Sequence, residues 1–200
     1  MIKTTIKNER LLTHKTDCLV LFSTEEKNPS GKLAELDTKL KGVIKSLFKN
    51  KRFEGKLNQT LLLNITKPMR ADHLLLVGLG KGIEATADKL RQAAGTAAKH
   101  AEKAKLTTVS FYIPADNDAK DIHTGLAKSN ESFTQTVVEG GLLSLHHFDE
   151  YKQPAKEKLS RIKQIILITT AKSQVSSMRS SSSKGQKLAK AVVASRDLVS

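Results

Sequence analysis

Short apolar runs alternate with longer segments of helical spacing along most of this chain. The run at residues 18–22 is bounded by polar residues and predicts a buried strand. The runs at 61–65 and 73–77 predict two further strands, separated by only seven residues. Because a parallel crossover needs about a dozen residues, this pair should be antiparallel. The runs at 108–113 and 162–169 predict two more strands.

Helical spacing fills the intervals between these runs. The break at residues 28–31 (Asn-Pro-Ser-Gly) offers Ser30 as the N-cap of a helix with a lysine-rich outer side. Residues 85–104, rich in Ala, Lys, Gln and Glu, predict a second helix. Residues 133–145 predict a third, in which Gly140 and Gly141 allow another backbone to approach. The first helix places these apolar residues on one side: Leu33, Leu36, Leu40, Val43, Ile44 and Leu47.

The composition changes after Ala171. Residues 171–200 carry nine Ser and a single acid, Asp197, which predicts a flexible linker followed by a helix over 187–199. We therefore expect a domain over residues 1–171 and a linker with a connector helix over 172–200. The alternation of strands and helices, with one antiparallel pair, predicts an α/β fold with a mixed, mainly parallel sheet. Helices should cover both faces of that sheet.

The charge is strongly positive, with 34 Lys and Arg against 20 Asp and Glu and a formal net charge of +14. Such an excess favours polyanions, including nucleic acid, but Lys residues spread along a whole chain more often form a solvated surface. A single Cys excludes an internal disulfide and favours a reducing compartment; Cys18 should be a buried small hydrophobe. The N-terminus lacks a signal-peptide apolar region and no run approaches membrane-spanning length, so we expect a cytoplasmic protein without a membrane partner.

The glycine-rich residues 78–82 (Gly-Leu-Gly-Lys-Gly) follow a predicted strand and precede a predicted helix. That context suits a phosphate cradle, because glycines let backbone N–H groups approach an anion. The sequence matches neither of the two specific phosphate-binding motifs, however. A dinucleotide fingerprint needs Gly where Ile83 stands, and a P-loop needs Ser or Thr where Gly82 stands. A tight turn between strand and helix is the favoured interpretation.

Residues 138–152 (Val-Glu-Gly-Gly-Leu-Leu-Ser-Leu-His-His-Phe-Asp-Glu-Tyr-Lys) look like the makings of a site. His146 and His147 with Asp149 suggest a metal, but adjacent side chains diverge, and no recognised His or Cys ligand spacing is present. A loop that packs Phe148 and Tyr151 on the domain is favoured. There is no G-x-S-x-G elbow, and four histidines have no visible partner in sequence: His14, His73, His100 and His123. We predict no catalytic, cofactor-binding or metal-binding residue in this chain.

Four segments, in this order and spacing, resemble the N-terminal domain of the leucyl (cytosol) aminopeptidase family. Residues 73–81 are similar to the family's strand and L-x-V-G-L-G-K turn, and residues 90–98 to its L-R-x-A-x-G helix. Residues 138–152 resemble its E-G-x-x-L-x-x-Y-x-F-D-x-Y-K segment, with His146 where an aromatic is usual. Residues 195–200 resemble the A-R-D-L-V-N stretch that leads into the catalytic domain, with Ser200 in place of Asn.

The resemblance implies a macrodomain-like, three-layer α/β/α fold. It also implies a parent enzyme that releases N-terminal amino acids from peptides and forms hexamers. In that family two divalent ions, Zn or Mn, are held by a C-terminal domain around an N-T-D-A-E-G-R-type motif, which this sequence lacks. We therefore expect the chain to be inactive alone and to support assembly or substrate access, with its own catalytic domain and further copies as partners. The alternative is a stand-alone basic module that binds nucleic acid or an ADP-ribose-like nucleotide; a free-standing enzyme is least favoured.

Overall fold

The computed structural model describes residues 2–65, 67–115, 130–146 and 161–199. Their six strands form one sheet in the order β1-β6-β5-β2-β4-β3. The strands are β1 (Lys3–Asn8), β2 (Thr16–Ser23), β3 (Thr60–Asn64), β4 (Ala71–Gly78), β5 (Thr108–Tyr112) and β6 (Gln164–Thr169). Within this sheet β3 and β4 are antiparallel and the other pairs are parallel. The predicted mixed, mainly parallel sheet is confirmed, while β1 was not predicted because it lacks an apolar run.

Helices cover both faces of the sheet. They are α1 (Gly31–Lys39), α2 (Val43–Lys49), α3 (Ala87–Lys103), α4 (Asn130–Ser144) and α5 (Val175–Val199). The single helix expected around residues 33–47 is wrong, because Lys41 and Gly42 have φ angles of 56° and 83° and interrupt it. The Oδ1 atom of Asp37 accepts a bond from the Lys45 N–H at 3.0 Å, which satisfies the start of α2. None of the described helices is both long and apolar enough to cross a membrane.

The core lies in two layers, one on each side of the sheet. In β2, Cys18, Val20 and Phe22 pack beneath α3, α4 and α5. The alternate residues Leu19 and Leu21 pack beneath α1 and α2. Full burial of one such Leu or Phe stabilises the fold by about 1.5–3 kcal/mol. On the first side α3 presents small residues to its neighbours, which lets helix and sheet approach closely: Ala93, Ala94, Gly95, Ala97, Ala98 and Ala101.

The Ser-rich segment is helical, so the expected flexible linker is wrong for α5. Met178, Ser181 and Ala189 are buried on the domain. A Cβ atom added at Gly185 would lie 2.7 Å from the Gln135 carbonyl oxygen, so α5 and α4 are in close contact there. Small side chains allow this close approach of the two helices. From composition alone, the same small side chains predicted a flexible segment. The role of residues 172–200 as a connector to another domain stays a prediction.

Candidate functional site

The glycine-rich turn after β4 is filled by protein groups. The N–H of Gly78 donates to the Gln59 carbonyl at 2.8 Å, that of Leu79 to Ser23 at 2.8 Å, and that of Gly80 to Gly55 at 2.9 Å. These three donors are therefore not available to a phosphate. The structure does not favour a phosphate cradle at residues 78–80, where the glycines serve close backbone packing.

The carboxyl ends of the parallel strands, where open α/β sheets bind ligands, are also closed among the described residues. Phe22, Ser23, Thr24, Tyr112 and Pro114 help to line a cavity of about 20 Å³. That volume holds roughly one water molecule, whereas small-molecule sites occupy about 300–1,000 Å³. The described structure gives no support to the nucleotide-binding alternative at this place.

Three of the polar side chains missed by sequence reasoning form an acid–histidine–serine series. The Nδ1 atom of His14 lies 2.6 Å from Glu9 Oε2, and its Nε2 atom lies 2.8 Å from Ser110 Oγ. Ser110 in turn donates to Thr16 Oγ1 at 2.8 Å. Ser110 is 0% exposed in the middle of the sheet, so no substrate reaches it. The series ties the β1–β2 connection to β5, and a separation of 96 residues between His14 and Ser110 hides it from any sequence motif.

The stabilising effect of Glu9 should weaken in acid. The hydrogen bond with His14 lowers the pKa of the Glu9 carboxyl, partial burial opposes this shift, and Lys7 adds to it. A carboxyl with a depressed pKa in the fold stabilises it above the unfolded-state pKa, and this effect is lost as the pH falls through the folded-state pKa. We expect Glu9→Gln to be less stable than wild type at about pH 7, and this difference in stability to be smaller at about pH 3.

Urea unfolding followed by circular dichroism at both pH values measures this difference. Glu35→Gln is the control, because Glu35 forms an exposed pair with Lys32 that contributes little. A stability gap for Glu9→Gln that is just as large in acid would contradict the linkage.

The thiol of Cys18 should be unreactive in the folded protein. Burial in the core, helped by the charge of Asp17, raises its pKa to about 12. The thiolate, which is the reactive form, is therefore almost absent near neutral pH. We expect iodoacetamide to label Cys18 in urea but not under native conditions, as read by mass spectrometry. Rapid native labelling would show that β2 opens locally.

The three other histidines among the described residues have structural partners. The Nδ1–H of His73 donates to the Asp17 carbonyl at 2.9 Å, and His100 Nδ1 lies 3.1 Å from Thr60 Oγ1. His146 Nε2 lies 3.0 Å from Asp197 Oδ1 in α5. The described residues contain no group of three or more His, Cys, Asp or Glu side chains placed to hold a metal. The predictions for His123, His147, Phe148, Asp149 and Tyr151 lie outside the described residues.

The nearly buried Glu139 joins α3 to α4. It accepts from Arg91 Nε at 3.0 Å and from Gln135 Nε2 at 2.8 Å, and Arg91 also donates to Asp88 at 3.2 Å. Next to it, Gly140 lets the Arg91 carbonyl approach closely, as the Gly-Gly pattern predicted. Glu139 therefore links α3 to α4 through its contact with Arg91.

The helices α3, α4 and α5 form one continuous outer surface. Arg91, Lys99, Ser144 and Arg196 are among the residues that line a shallow groove of about 450 Å³ there. On the outer side of α5, Leu188 and Val192 are 48% and 38% exposed, one helical turn apart. We call this pair the α5 apolar patch.

Three of the four segments that resemble the family meet where α3, α4 and α5 pack together. Arg91 of the second segment pairs with Glu139 of the third, and His146 of the third pairs with Asp197 of the fourth. The first segment supplies the turn at Gly78 and Gly80, which packs on residues 55–59. The described parts of all four segments therefore form packing contacts between elements of the domain.

Comparison with known proteins gives the same assignment. A model described as "Cytosol aminopeptidase family, N-terminal domain" matches residues 19–155. The probable cytosol aminopeptidase of Geobacter sp. (strain M21) is 30% identical over 196 residues, which are 98% of this chain and 37% of that protein. The chain thus spans little more than a third of this relative's length.

Solved structures show the fold. A tomato leucine aminopeptidase mutant superposes with a TM-score of 0.75 and 17% identity, over 100% of this chain and 38% of that one. The macrodomain of Mycobacterium tuberculosis DarG gives a TM-score of 0.56 at 10% identity, over 84% of this chain and 98% of that one. The macrodomain-like α/β fold is therefore confirmed. Since the family model covers most of the chain, this chain belongs to the cytosol aminopeptidase family and is an N-terminal domain of it.

Proposed function

We propose that this chain is the non-catalytic N-terminal domain of a metal-dependent leucyl aminopeptidase that releases N-terminal amino acids from peptides. The observation that supports this proposal is the family match over residues 19–155 in a chain that spans 37% of its Geobacter relative. The name of that relative and the free thiol of Cys18 favour a cytosolic parent.

The divalent ions of the parent belong, in this proposal, to its catalytic domain. The described residues offer no set of three or more ligand side chains to a metal, so they do not fit a Zn or Mn pair. A metal-bound water is the nucleophile that two-metal aminopeptidases need near neutral pH. We derive no chemical step from the residues of this chain.

The domain would act through assembly with its own catalytic domain and, in turn, with further copies of the enzyme. The α5 apolar patch supports this role. Burying Leu188 and Val192 against the catalytic domain would remove their exposed area from water, a gain of about 25 cal/mol for each Å² buried.

A first test is the activity of the isolated chain. We expect no hydrolysis of leucine p-nitroanilide by the purified chain with added Mn²⁺ or Zn²⁺. The positive test is a chimera in which this chain replaces the aligned N-terminal segment of the Geobacter relative. The chimera should assemble and hydrolyse the anilide, whereas turnover by the isolated chain would show that it carries its own active site.

The α5 apolar patch is tested in the same chimera. Leu188→Ser with Val192→Ser should reduce assembly and anilide turnover, and light scattering measures the former. The matched control is Lys187→Ser with Ala191→Ser, which changes neighbouring exposed positions of the same helix. Equal assembly and equal turnover of the two double variants would exclude a docking role for the patch.

A further inference from the structure

The strand β3 ends the sheet and leaves one of its edges without a partner strand among the described residues. In the observed order β3 pairs with β4 alone. An exposed edge carries N–H and C=O groups that can pair with an added strand. The aminopeptidase assignment gives this edge no role.

The hydrogen bonds of β3 show which backbone groups point outward. The Ile65 N–H donates to the Asp72 carbonyl at 3.0 Å, and the Gly78 N–H donates to the Gln59 carbonyl at 2.8 Å. Bonded pairs alternate along an antiparallel ladder, so the odd-numbered residues between 59 and 65 face β4. The N–H and C=O groups of Thr60, Leu62 and Asn64 therefore point to the outer edge.

Lysines surround this edge on both sides of the sheet. A groove of about 280 Å³ beside the end of β3 is lined by Lys39, Lys41 and Lys67. On the other side, α3 reaches β3 through the contact between His100 and Thr60, and it carries two more lysines. These are Lys99 and Lys103, within one helical turn of His100; both are exposed like the first three, and Lys99 also lines the groove between α3, α4 and α5. None of the five is within 4.0 Å of a carboxylate in the part of the chain that the structure describes.

The groove also has an apolar floor. Leu40, Val43, Leu63 and Ile65 line it together with the lysines, and Val43 is 45% exposed. An added strand presents successive side chains to opposite faces of the sheet. Its acidic side chains would meet lysines on either face, and an apolar side chain would enter the groove.

We propose that the outer edge of β3 binds an extended acidic peptide segment as an additional strand. The free backbone groups select a peptide, because a nucleic acid has no ladder of N–H and C=O groups to offer. The lysines select acidic side chains. The competing explanation is that the lysines only prevent two edges from pairing, as they do in many proteins, and it predicts no peptide binding.

The test uses the whole chain and a fluorescein-labelled peptide with a repeating Glu-Glu-Val sequence, which places Glu side chains on both faces of an added strand. Binding is followed by fluorescence anisotropy at low salt. We expect saturable binding that weakens with added salt. The control peptide has the same sequence with N-methyl groups on consecutive residues, which keeps every charge but removes the N–H donors in either register. It should bind at least about tenfold more weakly, because several hydrogen bonds are lost.

Protein variants separate the contribution of the backbone hydrogen bonds to peptide binding from that of the lysine charges. Asn64→Pro removes one outward N–H at an exposed position and leaves the β4 ladder intact, so binding should weaken about fivefold. Asn64→Ala keeps that N–H and should bind like wild type. Lys41→Gln with Lys67→Gln should weaken binding, whereas Lys184→Gln on the distant α5 should not.

The proposal is overturned by any of three results. These are no saturable binding at low salt, equal binding of the N-methylated peptide, or an oligothymidylate that binds as tightly and displaces the peptide. The last two would show a surface that recognises negative charge alone. Thermal unfolding monitors the fold of Asn64→Pro, and if that variant is destabilised, the N-methylated peptide and the lysine variants decide.

Discussion

Replacing Gly140 with Ala should lower the free energy of unfolding by about 3 kcal/mol, whereas the same change at Gly141 should alter it by less than about 1 kcal/mol. A Cβ atom at Gly140 would overlap the Arg91 carbonyl oxygen and lie 3.1 Å from Ala94 Cβ. Both belong to α3, so the helices must move apart. That movement would also disturb the ion pair between Arg91 and Glu139.

Gly141 is the matched control, because it is the next residue of the same helix. Its added Cβ would lie 3.2 Å from Ile165 Cδ1, the flexible end of a side chain that can shift. Ala is also the better helix former by about 1 kcal/mol, which offsets that contact. Urea unfolding followed by circular dichroism measures both variants. If Gly140→Ala is as stable as Gly141→Ala, α3 and α4 are not held at a fixed separation.

The strands in the middle of the sheet could be predicted because they are buried on both faces. Residues 18–22 and 74–77 are continuous apolar runs. The short connection between β3 and β4 determines the antiparallel pairing of these two strands. The edge strand β1 was missed because Lys, Thr and Ile are mixed along it. β1 buries less apolar surface than the central strands, so its sequence carries a weaker pattern.

Two helical regions show where spacing and composition mislead. The apolar positions from Leu33 to Leu47 keep helical spacing across the break between α1 and α2. The positive φ angles of Lys41 and Gly42 do not change that spacing, so it does not reveal the break. A glycine at this position is the one sequence feature that indicates a helix end. In α5 the serines looked like a linker, but Ser181 and Ser182 are buried on the domain. Small side chains serve close helix packing as well as flexibility.

The side-chain hydrogen bonds and ion pairs between elements could not be predicted, because they join residues that are distant in sequence. Glu139 stood out as an acid in a recognisable segment, but its partner Arg91 lies 48 residues away. Ser110 and His14 are further apart still. The resemblance identified the domain but assigned no catalytic residue. The described parts of its segments lie at contacts between elements of the domain. A sequence can therefore identify such a module correctly while leaving its polar side chains without a role.

Replacing Gly78 with Ala should destabilise the domain by about 3 kcal/mol or more. The new Cβ would overlap the Lys56 carbonyl oxygen and the backbone of Gly55. Neither neighbour is a flexible side-chain end. Gly55 cannot move away easily, because its own α-carbon faces the Thr24 carbonyl and its carbonyl accepts from Gly80 at 2.9 Å. The clash would therefore spread through three connected backbone segments.

The control for this prediction is Gly42→Ala, in the turn between α1 and α2. Gly42 has a φ of 83°, but nothing lies within 4 Å of its added Cβ. That variant should lose about 1–2 kcal/mol, the cost of a left-handed conformation for a side chain. Urea unfolding compares the two. If Gly78→Ala is no worse than Gly42→Ala, the 55–59 segment can withdraw from the turn. The N–H groups of Gly78 and Gly80 would then become accessible, and the anion-binding interpretation of this glycine pattern would have to be considered again.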